Sequence, residues 1–209
     1  MLVSQSLRAD FDGDRDPQRR IALGHILQPV HMVLGQPALR MLAACSFLFS
    51  IAQLSLTTYL VTYLTDSLAY GLVAAGAVLS VSQVGAVLGR VLWGWVSDRW
   101  VGARRMLAAL AALMALCSVA TAALQPQLPT ALVIAVLFVF GASAVGWNGV
   151  YLAEVAREAP AGMAGQATGG TLFFTFLGVV LGPPLVGGVR GVRYVRDGED
   201  LRRGLVLLP

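Results

Sequence analysis

The stretch that decides the fold reads GRVLWGWVSDRWVGARR, at residues 89–105. It places Arg90 deep inside an apolar run, eight residues before Asp98, where the run gives way to a basic loop. A guanidinium within a membrane-spanning helix is costly, so it persists where it faces protein, water or an anion. If the helix ends near Ser97, Arg90 lies roughly 12 Å inside it, at about 1.5 Å per residue. That depth is close to the middle of a hydrocarbon layer about 30 Å thick.

The composition indicates that the bilayer is the solvent for most of the chain. Of the 209 residues, 57% are hydrophobic and 12% are charged, whereas a soluble domain carries about 25% charged residues. The charges are segregated, because residues 106–153 and 159–189 contain none. A soluble chain could not cover so much apolar surface, so we expect an all-α membrane protein. The net charge of +4, carried by arginine without any lysine, indicates topology and not a nucleic-acid partner.

Five apolar runs are each long enough to cross a bilayer. They cover residues 38–64, 69–96, 105–124, 129–154 and 165–188. Basic and non-basic breaks alternate between them, so the positive-inside rule places the N-terminus, the second break and the fourth break in the cytoplasm. We expect a bacterial inner-membrane protein with three parts. These are a cytoplasmic N-terminal segment at 1–36, a five-helix transmembrane region at 37–188 and an atypical tail at 189–209.

The tail does not fit this alternation. Five spans from a cytoplasmic start would leave it outside, yet it carries five arginines. Its last apolar stretch, residues 204–209, is too short to span. We favour a frameshift near Val189 or a truncation as the explanation. The alternative is a natural short tail, because the charge bias has exceptions.

The loop after the second run resembles the signature loop of the major facilitator superfamily, which joins the second and third helices of each six-helix half. The matching residues are Gly94, Asp98, Arg99, Gly102, Arg104 and Arg105. One extra residue, Val101, separates Arg99 from Gly102, which is similar to the form found in second halves.

Two further segments resemble the same family. Residues 146–154, which end in Glu154, are similar to a fourth helix that closes on an acidic residue. Residues 178–187 are similar to the glycine-proline motif of a fifth helix, through Gly178, Gly182, Pro183 and Gly187. The resemblance covers about residues 38–188 and implies a partial major facilitator fold, with the seventh to eleventh helices of a twelve-helix permease. It also implies secondary transport by alternating access.

The resemblance suggests roles for the charged loop and the glycines. Asp98 would face the N-terminus of a neighbouring helix, where the helix dipole favours a carboxylate. The loop arginines could pair with Glu154 and hold one conformation closed. The alternative is that these charges only set topology. The glycines of the fifth span would let helix backbones approach closely.

Four residues are candidates for contact with a solute. Gln53 lies near the middle of the first span, and Trp147 and Asn148 lie in the fourth span, which are helices that line the pathway in this family. Arg90 lies where anion carriers of the superfamily, including nitrate and monocarboxylate porters, keep a substrate-binding arginine. Its planar fork matches a carboxylate or nitrate, so we expect a small organic or inorganic anion. A structural arginine and interhelical amide bonds, worth about 1 kcal/mol or less, are the alternatives.

The remaining patterns argue against an enzyme. A chain without lysine cannot hold a Walker sequence, and no span holds a paired-carboxylate, histidine-cluster or serine-base site, so we expect no cofactor and no metal. His25 and His31 lie outside the spans. The expected partners are the bilayer, the solute and a proton or another coupling ion. A missing N-terminal half or dimerisation would complete the pathway, and the alternative function is a truncated or frameshifted remnant that does not transport.

Overall fold

The fold is a bundle of membrane-length helices in this computed structural model, which describes residues 27–206 and the side chains of residues 27–188. Five helices in this part are long and apolar enough to cross a membrane, and no strand occurs in it. The predicted all-α membrane protein with five spans is confirmed. The elements are α1 (Gln28–Gly35), α2 (Pro37–Leu68), α3 (Leu72–Val96), α4 (Ala103–Ala122), α5 (Thr130–Gly146), α6 (Asn148–Glu158) and α7 (Ala164–Val206).

Several helix ends differ from the predicted runs because local hydrogen bonds extend the helices. The break expected at Thr65–Ser67 lies inside α2, where the Thr65 hydroxyl donates to Val61 O and the helix continues to Leu68. The fourth span includes α5 and α6 and continues to Glu158, so Glu154 lies within a helix and not in the following break. Pro37 opens α2, as suits a residue with a fixed φ at the first helical turn.

The extra residue in the signature loop is absorbed by a π-turn. Residues Ser97–Val101 continue α3 as a π-helix, and the Gly102 N–H donates to Ser97 O at 2.9 Å. An inserted residue in a helix commonly produces such a turn. Gly102 then reverses the chain with φ +80°, a conformation that favours glycine, and α4 begins at Ala103. The insertion of Val101 therefore changes the helix type locally without separating α3 from the loop.

Two helix pairs form the framework of the bundle. α3 packs along α5, and α2 packs along α7. α4 packs on α5 and α6 and leaves much of its surface exposed, including Leu116 and Val119. The short helix α1 packs on α7, where Gly170 lies against the backbone of Pro29.

The helix that carries the fifth span continues beyond the predicted run. Its membrane-length part covers Ala164–Gly188, but α7 continues to Val206, with Pro183 and Pro184 inside the helix. A membrane helix tolerates proline where neighbouring groups satisfy the backbone. Next to the prolines, the Tyr59 hydroxyl of α2 donates to Pro183 O at 2.7 Å and links this part of α7 to α2. The tail predicted at 189–209 thus begins as part of α7. Most of the predicted cytoplasmic segment, residues 1–26 with His25, lies outside the described residues.

Candidate functional site

Three of the four predicted solute residues meet at the junction of α5 and α6. Gln53 of α2 accepts hydrogen bonds through Oε1 from Trp147 Nε1 at 3.1 Å and from Asn148 Nδ2 at 3.4 Å. Trp147 Nε1 also donates to Ala144 O, and Asn148 Nδ2 also donates to Val145 O. The shared donors and long distances make this a weak, adaptable set of bonds.

Aromatic packing fixes the position of Trp147 in this junction. Its side chain is 1% exposed. Its ring centroid lies 5.2 Å from those of Phe49 and Tyr151, in edge-to-face arrangements. Such contacts hold a ring more firmly than burial alone. Gln53 and Asn148, in contrast, remain half-buried.

Arg90 does not contact this polar junction directly. Its side chain is exposed, and it forms no hydrogen bond or ion pair with any residue in the described part of the chain. It nevertheless lies at the same height in the bundle, since a Cβ at Gly146 would lie 3.0 Å from the carbonyl carbon of Gly89. Arg90 follows Gly89 directly, and Trp147 follows Gly146. The four residues therefore occupy one level of the bundle on neighbouring helices.

The exposed surface of α3 has a polar strip that the sequence prediction missed. With about 3.6 residues per turn, Ser80, Gln83, Val87, Arg90 and Gly94 fall within a sector of about 80°. We call these five residues the polar strip. Ser80, Gln83, Val87 and Arg90 are exposed, and Gly94 is half-buried. The signal was present in the sequence as Ser80, Gln83, Arg90 and Gly94, which are polar or small and share one face of the helix.

A charged cluster lies at the signature-loop end of the bundle. Arg104 Nε lies 3.0 Å from Glu154 Oε1, and Arg104 also contacts Glu158. Arg157 reaches the second oxygen of Glu154 at 3.4 Å. The Glu154 side chain is 4% exposed, whereas that of Arg104 is 68% exposed. We call these four residues the charged cluster, which joins the start of α4 to α6.

Of the loop arginines that the sequence predicted as partners of Glu154, only one forms an ion pair with it among the described residues. Arg104 forms the ion pair, but Arg99 and Arg105 are exposed and form none with the described residues. Asp98 is also exposed and has no hydrogen bond or ion pair within the same part of the chain. The expected contact of Asp98 with a helix N-terminus therefore remains a prediction.

The predicted packing glycines of the fifth span lie against α2. Gly178 contacts Phe47 and Ser50, and a Cβ at Gly182 would lie 3.0 Å from Ile51 Cα. A Cβ at Gly187 would lie 2.6 Å from the hydroxyl of Tyr59. These residues allow the close approach of α2 and α7 that is typical of small residues at membrane helix contacts.

A buried hydroxyl cluster lies beside this contact and was not predicted. The Tyr151 hydroxyl is buried and forms no hydrogen bond with any of the described residues. The hydroxyls of Ser46, Thr171 and Thr175 surround it. All four side chains are buried between α2, α6 and α7. No sequence periodicity distinguishes this cluster from ordinary small core residues.

These features define a polytopic α-helical membrane protein with polar groups at one level of its helices and a charged cluster at one end. The chain belongs to the Major Facilitator Superfamily, whose family model matches residues 6–183. It is also 36% identical over 166 residues to the "Probable nitrate/nitrite transporter NarK2" of two Mycobacterium tuberculosis strains, CDC 1551 / Oshkosh and ATCC 25618 / H37Rv. The match covers 78% of this chain and 40% of each relative. No solved structure matches the chain.

Proposed function

We propose that the chain is the second-half membrane region of a secondary transporter for a small anion, with nitrate and nitrite as the first candidates. The names of the two mycobacterial relatives support this class of solute. The chain spans about 40% of the length of these relatives. In this proposal a partner half or a second copy completes the pathway, and the two bundles rock about a central site.

The position of Arg90 carries the proposal. The second span consists of α3 and its π-turn and is 30 residues long, Leu72–Val101. Arg90 therefore lies about 5 Å along the axis from the midpoint, near the depth at which secondary transporters bind their solutes. An exposed guanidinium at that depth needs water, protein or an anion opposite it. Its planar fork can donate two parallel hydrogen bonds to two oxygens of nitrate or a carboxylate.

The polar junction next to Arg90 supplies neutral contacts in this proposal. The Asn148 amide and the Gln53 amide can each donate a hydrogen bond to an anion once they release each other. Because their mutual bond is 3.4 Å long, its replacement by a bond to the solute costs little. The packed rings of Phe49, Trp147 and Tyr151 make the surroundings of this junction apolar, and hydrogen bonds to an anion are stronger where the dielectric constant is low.

The charged cluster is our candidate for the cytoplasmic gate. Glu154 is buried and its ion pair with Arg104 opposes separation of α4 from α6, whereas Arg157 pairs with it from within α6. Arg104 is exposed, so water can take over its charge when the contact opens. A bond set of this kind can form in one conformation and break in the other without leaving an unsolvated arginine. Transport in this scheme is driven by an ion or exchange gradient.

Nitrate uptake by a chimera tests the anion site directly. In the chimera, residues 37–188 of this chain replace the matching segment of the mycobacterial relative, so both halves are present. We expect Arg90→Gln to lower uptake efficiency by about 10- to 150-fold, because hydrogen bonds to a charged group contribute about 1.5–3 kcal/mol. Arg90→Lys keeps the charge but not the planar fork, so its uptake should lie between that of the unsubstituted chimera and that of Arg90→Gln.

Arg40→Gln is the matched control, because Arg40 is an exposed arginine in the first turn of α2, away from the polar junction. Its uptake should equal that of the unsubstituted chimera. Unchanged uptake with Arg90→Gln would show that Arg90 does not bind the anion. If neither the chimera nor the purified chain in vesicles moves nitrate, the result favours a non-transporting remnant.

A further inference from the structure

The surface of α3 divides into three faces. One face packs against α5 and includes Ser82, Gly85 and Gly89, all of them buried. A second face is exposed and apolar, with Val84, Leu88 and Val91. The polar strip forms the third face, between the other two. Its polar members interrupt an otherwise apolar helix surface.

Gln83 cannot face hydrocarbon at this position without a large cost. It is exposed and forms no hydrogen bond within the part of the chain that the structure describes. An amide in an apolar medium without a partner costs several kcal/mol. Gln83 lies about 5 Å from the midpoint of the helix on the side away from the signature loop, so it cannot reach an interface easily. Its surroundings must therefore contain water, a ligand or another polar group.

Gln83 and Arg90 point from the same face of the helix. They are seven residues apart, so their positions differ by about 20° around the helix axis and by about 10.5 Å along it. Side chains on a helix lean toward its N-terminus. The guanidinium of Arg90 therefore extends toward the turn that carries Gln83. A small anion bound on that side of Arg90 lies between the guanidinium and the turn that carries Gln83.

We propose that Gln83 is a second anion-contacting residue of the solute pathway, one that receives the anion on the side away from the signature loop and passes it to Arg90. This inference rests on the function proposed above. The Gln83 amide donates to an anion oxygen but carries no charge, so it binds more weakly than Arg90. Weak binding at successive positions lets a solute both enter and leave a pathway.

Cysteine accessibility tests the location of Gln83 without assuming a substrate. The full chain in membrane vesicles, with Cys45 and Cys117 replaced by alanine, receives one cysteine by Gln83→Cys or, as control, by Val84→Cys. Val84 is the next residue along the chain but lies on the apolar face. The probe is an impermeant anionic methanethiosulfonate, which forms a mixed disulfide with a water-exposed thiolate and releases a sulfinate. We expect labelling with Gln83→Cys, severalfold slower labelling in nitrate, and little labelling with Val84→Cys.

Uptake by the chimera tests the contact itself. Gln83→Glu places a like charge beside the anion, so the half-saturating nitrate concentration should rise about tenfold, with a smaller change in maximal rate. Gln83→Asn retains the amide and should restore most of the affinity. A purely structural role would instead lower the maximal rate and the amount of folded protein.

The two proposals fail in different ways. Labelling of Gln83→Cys that nitrate does not slow, or no labelling at all, overturns the contact at Gln83 and leaves Arg90 as the anion site. Unchanged uptake with Arg90→Gln overturns the anion site at Arg90. Equal labelling of Gln83→Cys and Val84→Cys would show that the polar strip is not a separate face, and would also overturn the inference.

Discussion

At the residue scale, the chain uses two different solutions for charges near the membrane. Glu154 is buried and its charge is balanced by Arg104 and Arg157. Arg90 is exposed and unbalanced by any described residue. A balanced charge serves structure or switching, whereas an unbalanced charge within a span indicates a function. This contrast, and not the residue type, separates the proposed gate from the proposed binding site.

Two adjacent arginines allow a matched test of the charged cluster. Arg104→Gln removes the ion pair with Glu154, whereas Arg105→Gln removes an exposed arginine without a partner among the described residues. We expect Arg104→Gln to lower the unfolding temperature of the purified protein by a few degrees, because a buried carboxylate loses its nearest cation. Arg105→Gln should leave it unchanged. Equal unfolding temperatures for the two variants would show that the cluster contributes nothing to stability.

At the element scale, the contact between α3 and α5 depends on small residues. A Cβ at Gly85 would lie 2.5 Å from Phe138 O, and a Cβ at Gly146 would lie 2.7 Å from the Trp93 ring. The Trp93 indole donates to Ala142 O at 2.8 Å and bridges the two helices. This close contact determines which face of α3 is buried. It thereby determines that Arg90 and Gln83 are exposed.

A methyl group at Gly89 should separate these helices. Its carbon would lie 2.9 Å from the Cα of Ala142, so backbone must move. We expect Gly89→Ala to lower the free energy of unfolding by about 1–3 kcal/mol, the usual range for overpacking. Gly76→Ala is the control on the same helix, because nothing lies within 4 Å of its added Cβ. Unfolding of both variants in mixed detergent micelles measures the difference, and equal stability would contradict the close contact.

At the scale of the whole molecule, the alternation of basic and non-basic breaks predicts an orientation that side-specific labelling can test. Single cysteines at Ser67, in the last turn of the first span, and at Gln127 and Ala161, between later spans, occupy exposed positions. The positive-inside rule predicts that an impermeant thiol reagent labels the first two from outside intact cells. The third should react in inverted vesicles alone. The opposite pattern would show that the chain is inserted the other way round and would place the charged cluster outside.

Much of the fold follows from local sequence, because membrane spans need only length and apolar composition. The five spans, the signature loop and the lone Arg90 could all be predicted in this way. The helix ends were less predictable. The extra Val101 produced a π-turn, and Pro183 and Pro184 did not end α7. Local composition does not determine such backbone geometry, because it depends on how each helix packs against its neighbours.

The sequence by itself therefore determined that this is a membrane bundle of the major facilitator type with one charge deep in a span. The tertiary structure alone decided which distant residues meet. Gln53 lies 94 residues before Trp147, yet the two share a hydrogen bond, and Glu154 selects Arg104 from three nearby arginines. Periodicity reports which residues share a helix face. Which face meets which neighbour depends on close packing between helices, and that packing leaves Arg90 and Gln83 together on an open surface.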